Sequence, residues 1–150
     1  KSGLKVLAVL HKALLLGQIL FAAIAFYLTY SGGFSSQLSH LDKELQLVAV
    51  AISFAGVFIG ASLFKKKANQ LRDSLADVKT KTEAYRSVSI IQWALIEAPS
   101  LFNTICFMLT GNYAFLALAG ALILWFALTA PSKMKIMLLL RLREEEMEEF

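Results

Sequence analysis

The residue in this sequence best placed to do chemistry is a carboxylate inside an apolar run. Glu97 stands near the middle of the stretch from Gln92 to Gly111, with Pro99 just after it. A run of this length reads as a membrane-spanning helix, and a carboxylate within one is by default a candidate functional group. At ~1.5 Å rise per residue, Glu97, about ten residues past Ser87, lies about 15 Å deep in a core ~30 Å thick. An ionised carboxylate is costly there unless a cation or hydrogen-bond donors compensate. Pro99 has no N–H to offer the Leu95 carbonyl one turn back, so a freed carbonyl beside a carboxylate makes a candidate proton or cation site. Gln18, at nearly the same depth on the first helix, and Asn103 and Thr104, further along the same run, are expected to contribute. Two other readings of Glu97 remain open: a protonated acid bonded between helices as packing glue, and an ion pair with His11 or Lys12.

The elements that would hold this group follow from composition. The chain has 150 residues, of which 57% are hydrophobic and only 17% charged. Soluble domains carry about 25% charged residues, and here the charges cluster between long apolar blocks. That pattern predicts a polytopic helical membrane protein, all-α, forming a single transmembrane domain over residues 1–150. The net charge of +4 comes from basic clusters beside apolar runs, which points to lipid headgroups and not to nucleic acid. Cys106 is the only cysteine, so no intrachain disulfide is expected and the residue reads as a small buried hydrophobe.

Four transmembrane helices are expected. Helix one covers about 4–30 and is too long for the apolar core of a signal peptide, so it is expected to be retained. Lys12, inside it, can snorkel back to the headgroups. A polar link with Gly32 and Gly33 follows, and Ser39 with Asp42 is expected to cap helix two. Helix two covers about 45–64, and its Ala49, Ser53, Gly56 and Gly60 share one face that lets another helix approach closely. Lys65, Lys66 and Lys67 end that span at the headgroups. Beyond them Leu71, Leu75 and Val78 keep helical spacing, so helix two is expected to continue to about 79 as an amphipathic extension outside the bilayer. Thr80 and Glu83 read as a capping box that opens helix three, about 84–110. Gly111 and Asn112 make a tight turn into helix four, about 113–130, which Pro131 stops. The tail, 132–150, is amphipathic and then acidic, with Lys133 and Lys135 expected at the headgroups. Lys and Arg crowd the link between helices two and three and the tail. The positive-inside rule then places both termini and the extension in the cytoplasm, in a plasma or inner membrane.

Laying helix one on helix three matches Ala13, Leu14, Leu20, Phe21, Ile24, Phe26, Leu28 and Thr29 with Ala94, Leu95, Leu101, Phe102, Ile105, Phe107, Leu109 and Thr110. A fainter match joins helix two to helix four. The reading is two duplicated hairpins in the same orientation, a parallel repeat. Leu16 takes the place of Glu97, so only one hairpin carries the carboxylate.

The small-residue helix two, the basic link and the stretch Ala94-Leu95-Ile96-Glu97-Ala98-Pro99-Ser100-Leu101-Phe102 together resemble the proteolipid (subunit c) hairpin of rotary ATP synthases, over about a third of the chain. The resemblance implies Glu97 as a proton or cation carrier, with Ala49, Ser53, Gly56 and Gly60 as ring packing. The architecture is also similar to that of the small multidrug transporters, with four short helices and one membrane carboxylate; there Trp93 would wall a cation site.

No enzyme signature is present. There is no paired membrane carboxylate, and His11 and His40 are too far apart for a metal site, so neither metal nor cofactor is expected. The sequence therefore predicts a non-enzymatic membrane subunit, a homo-oligomer or part of a membrane complex, assembling through small-residue helix faces. Its rival is an ion- or substrate-translocating protein with Glu97 as carrier.

Overall fold

A computed structural model describes residues 2–32 and 38–147. These are helical, with no strand among them: α1 Ser2–Tyr30, a single 3-10 turn Ser39–Leu41, α2 Asp42–Asp73, α3 Val78–Thr110, α4 Tyr113–Leu128, α5 Lys133–Leu140 and α6 Glu144–Met147. Gly33 and the acidic end beyond Met147 lie outside the described residues. Three helices, α1, α2 and α3, are long and apolar enough to cross a membrane, and α4 with α5 qualifies only as a pair bent by 73°.

α3 is the axis of the bundle, since α1, α2 and α4 all pack on it. Half of its apolar window is buried, against 17% for α1 and 22% for α2. The outward faces of the others carry Leu16, Leu20, Ile24, Phe54, Phe58 and Leu124, all exposed. An apolar surface that continuous suits lipid and is an aggregation liability in water. Ring contacts fix the directions. His11 meets Trp93 at 4.9 Å and Phe26 meets Tyr113 at 6.1 Å, so α1 runs parallel to α3. Phe64 meets Tyr85 at 5.6 Å and Phe107 meets Tyr113 at 5.0 Å, so α2 and α4 run antiparallel to it.

The closest packing is between α2 and α3. Ala49, Ser53, Gly56 and Gly60 are all buried. A Cβ placed on Gly56 would collide with the Leu95 carbonyl oxygen and stand 3.0 Å from Pro99 Cγ. Only a hydrogen on Cα permits that approach. The small-residue face is thus occupied by α3 of the same chain.

A polar contact closes one end of this pair. Gly111 adopts the left-handed conformation (φ 73°) that ends α3, and Asn112 caps α4 by accepting from the Ala114 N–H at 2.9 Å. The Asn112 amide donates to both carboxylate oxygens of Asp42 at 2.9 Å, tying the turn to the first residue of α2. Leu41 occupies the N-cap of α2 and no side-chain cap bond forms there, so the expected capping by Asp42 does not occur: its carboxylate is engaged across the bundle. The Ser39 side chain lies outside the described residues.

At the other end α2 stops at Asp73, short of residue 79, and α3 starts at Val78, ahead of 84. The extension between helices two and three is therefore a pair of helical ends joined at residues 74–77. The cap is Asp77, whose side chain accepts from Thr80 N–H at 3.0 Å. Because Asp77 already satisfies this first-turn donor, Thr80 lies inside the helix and the Thr80–Glu83 box is not what starts it. At 33 residues α3 is about 50 Å long, more than the ~30 Å thickness of a bilayer core.

Two expectations follow. Gly56→Ala should destabilise the bundle by about 1–3 kcal/mol through overpacking against backbone, whereas Gly17→Ala, with open space around its Cα, should be close to neutral; thermal unfolding in mild detergent compares them. The bonds from Thr80 hold the Asp77 carboxyl below its ordinary 3.8. A group depressed in the folded state contributes above its unfolded pKa and loses that contribution as pH falls through the folded value. Amide protection in the first turn of α3 should therefore fall below about pH 4, and Asp77→Asn, which keeps a cap, should remove that pH dependence.

Candidate functional site on the α1–α3 face

Glu97 sits on the outer side of α3, partly buried, in an open groove of about 440 Å³ lined by Leu10 and Leu14 of α1 and by Ile90, Ala94, Ala98 and Leu101 of α3. Small residues at 94 and 98 form the floor, and the longer aliphatic chains form the walls. Every other lining side chain is apolar. Among the described residues Glu97 makes no hydrogen bond and no ion pair.

The groups expected around it point elsewhere. α3 continues unbroken through Pro99, and the Leu95 carbonyl faces Gly56 on α2. Residues 95 and 97 are about 200° apart around a helix, so the face of α3 that meets α2 is not the one that carries Glu97. Asn103 faces α2 as well: its amide donates to Ser53 Oγ at 3.0 Å and to the Pro99 carbonyl at 2.8 Å. Ser53 Oγ in turn donates to the Ala49 carbonyl at 2.6 Å. Thr104 lies two turns above Glu97 and donates to the Ser100 carbonyl of its own helix at 3.0 Å. Leu95, Pro99, Asn103 and Thr104 therefore belong to the interior of the bundle, and Glu97 does not share a coordination shell with them.

Gln18 is only 2% exposed, and neither its amide nitrogen nor its oxygen has a partner. The His11–Trp93 contact sets the register of the parallel helices α1 and α3; two turns on, Gln18 and Ser100 lie at the same level. The Ser100 hydroxyl and the Trp93 indole N–H are buried without partners too. This seam of open hydrogen-bonding capacity runs inside the bundle, and Gln18 makes no bond to Glu97.

His11 is the polar group whose role was not legible from the sequence. Its Nε2–H donates to the Phe126 carbonyl at 2.8 Å, and the ring stacks on Phe126 at 4.5 Å with 11° between the planes. Thr129 donates to the same carbonyl through its hydroxyl at 2.6 Å and its N–H at 3.0 Å. One oxygen thus gathers three donors at the point where α4 ends. His11 is committed there and forms no ion pair with Glu97. Trp93, buried edge-on to His11, is not available to wall a cation site. The only sequence signal for this cluster is a histidine two turns inside an apolar helix, which by itself names no partner.

Of the residues expected at headgroups, Lys65, Lys66 and Lys67 are exposed. Lys133 is 3.4 Å from Glu144, and Lys135 is half-buried with its Nζ 5.7 Å from the centre of the Phe64 ring. Among the described residues no three His, Cys, Asp or Glu side chains cluster as a metal site would require. Chemically, the site is a solitary carboxyl group at the edge of an apolar groove, able to exchange a proton or to hydrogen-bond a group brought from outside the chain.

The Asn103–Ser53 bond is the measurable polar link between α2 and α3. A double-mutant cycle of Ser53→Ala and Asn103→Leu should give a coupling of about 0.6 kcal/mol and at most ~1.7, the range for interhelical bonds in a membrane. Comparison with protein-family models, with curated proteins and with solved structures finds no match to this chain.

Proposed function

We propose that this protein is a non-enzymatic integral membrane subunit that pairs with a second copy of itself through the α1–α3 groove, with Glu97 at the centre of the contact. The observation that carries the reading is the isolation of Glu97: a carboxyl group in a membrane-spanning helix, open to the outside of the bundle and bonded to nothing among the described residues. Intramembrane ionisable groups nearly always find partners. A carboxylic acid is at once donor and acceptor, so a like group across a two-fold axis satisfies it, and two-fold interfaces bring identical residues together. The small floor at Ala94 and Ala98 permits close approach of a second helix. The small face of α2 is already used by α3, so assembly falls to this surface.

In this reading α4 crosses as a short fourth span, the four spans descend from two duplicated hairpins, and the basic end of the bundle lies in the cytoplasm with both termini, in a plasma or inner membrane. The positive-inside rule and the helix-one to helix-three match support these points. The second reading, a proton carrier related to the proteolipids, draws on the same accessibility of Glu97. It lacks a ligand set for a metal cation, because Leu95, Asn103 and Thr104 face inward.

Native mass spectrometry in nanodiscs tests the pairing. Wild type and Glu97→Gln should run as dimers, because Gln keeps a donor and an acceptor, and Glu97→Leu should shift toward monomer by about tenfold, equivalent to losing ~1.4 kcal/mol of interhelical bonding. A monomeric wild type overturns the pairing. A ring of many copies, with proteoliposome proton flux abolished in Glu97→Gln, would establish the carrier instead.

A further inference from the structure

α4 ends at Leu128, and its continuation is blocked by Pro131, which has no N–H to give the helix. Ser132 then caps α5 by accepting from Lys135 N–H at 3.1 Å, and α5 leaves at 73° to α4. If α4 stands along the membrane normal, a helix bent by that angle lies close to the membrane plane. Its depth is set by what it touches. Lys135 covers the ring of Phe64, the last apolar residue of α2 before Lys65, Lys66 and Lys67. α5 therefore rests on α2 where the apolar run gives way to charge.

The two sides of α5 are both apolar, and only one is used. Ile136 and Leu140 are fully buried in the cluster that holds Leu71 and Tyr85. Met134 and Leu138, one turn apart, are 66% and 70% exposed. Exposed Lys133 and Arg141 flank them. An outward apolar pair between cations, on a helix turned across the bundle, has the composition of an interfacial anchor.

We propose that α5 is an interfacial helix of the bilayer that this chain spans: Met134 and Leu138 enter the boundary between headgroups and acyl chains, while Lys133, Arg141 and Lys65 to Lys67 face anionic headgroups. α5 is then not the second half of a broken fourth span. The inference rests on the chain crossing a membrane and is independent of pairing at Glu97. The inner side of the helix, seated on α2 and on the first turns of α3, couples the membrane surface to the adjoining helical ends.

The test uses the full chain in a Cys106→Ala background, reconstituted in vesicles of zwitterionic and anionic phospholipid. Met134→Cys and Leu138→Cys are labelled in turn with an environment-sensitive fluorophore and quenched by lipids carrying nitroxide at a shallow or a deep acyl position. The expected result is strong quenching of both sites by the shallow label, at the same depth, with a blue-shifted emission. A helix continuing across the bilayer would separate the two sites by about 6 Å in depth and bring Leu138→Cys under the deep label. Protein or water covering this face would leave both sites unquenched by either lipid. Each of these outcomes overturns the proposal. A label on Glu145→Cys, quenched only by aqueous iodide, confirms folding and orientation of the tail in the same samples.

Discussion

The bundle depends on one close approach, the meeting of the Gly56 backbone with the Leu95 carbonyl and the Pro99 ring. In lipid there is little hydrophobic gain from bringing two apolar helices together, so association relies on dispersion and on polar bonds that only close contact allows. Glycine at 56 makes that contact possible. Proline at 99 leaves the Leu95 carbonyl without its usual intrahelical donor, and this polar edge is turned toward the α2 backbone and away from lipid. The Asn103–Ser53–Ala49 chain of donors then extends the join toward the far end, where Asn112 holds Asp42.

Once α2 claims that side of α3, the helical period decides what the remaining sides can do. α1 takes the side bearing Trp93 and Ser100 and α4 packs alongside, which leaves the side with Ala94, Glu97 and Ala98 facing out. The carboxyl group is thus separated from every polar side chain that its position along the helix would suggest. This isolation leaves the carboxyl group open to a hydrogen-bonding group from outside the chain. His11 shows the opposite case, a polar group drawn inward to a carbonyl already crowded with donors at the end of α4.

The charged tail is part of the same construction. Ile136, Leu140, Leu142 and Met147 join Leu71 and Tyr85 in one apolar cluster, so the segment after Pro131 is packed against the adjoining ends of α2 and α3. Its ion pairs Lys133 with Glu144 and Arg143 with Glu145 are exposed and contribute little to stability. The apolar contacts hold it.

Much of this organisation was legible from local pattern. Long apolar runs demand helices in lipid because backbone groups there must be bonded within the segment, and Gly111 with Asn112 marks a turn because few residues adopt the left-handed conformation. The shared face of Ala49, Ser53, Gly56 and Gly60 followed from the helical period alone. Helix limits were less legible at 73–78, where Asp77 and Thr80 are both good caps and only the bonds formed distinguish them. Depth along a helix is readable, which sets Gln18 at nearly the level of Glu97 and Asn103 and Thr104 one to two turns further along. Azimuth relative to neighbours is not readable, because it depends on which helix packs on which face. Sequence by itself determined the helices, their apolar character and the lone carboxylate within the apolar run from Gln92 to Gly111. Tertiary packing alone decided that Pro99 and Asn103 serve the α2 join, that His11 clasps the end of α4, and that Glu97 looks outward, because a helix 3.6 residues per turn sends neighbours in sequence to different partners in space.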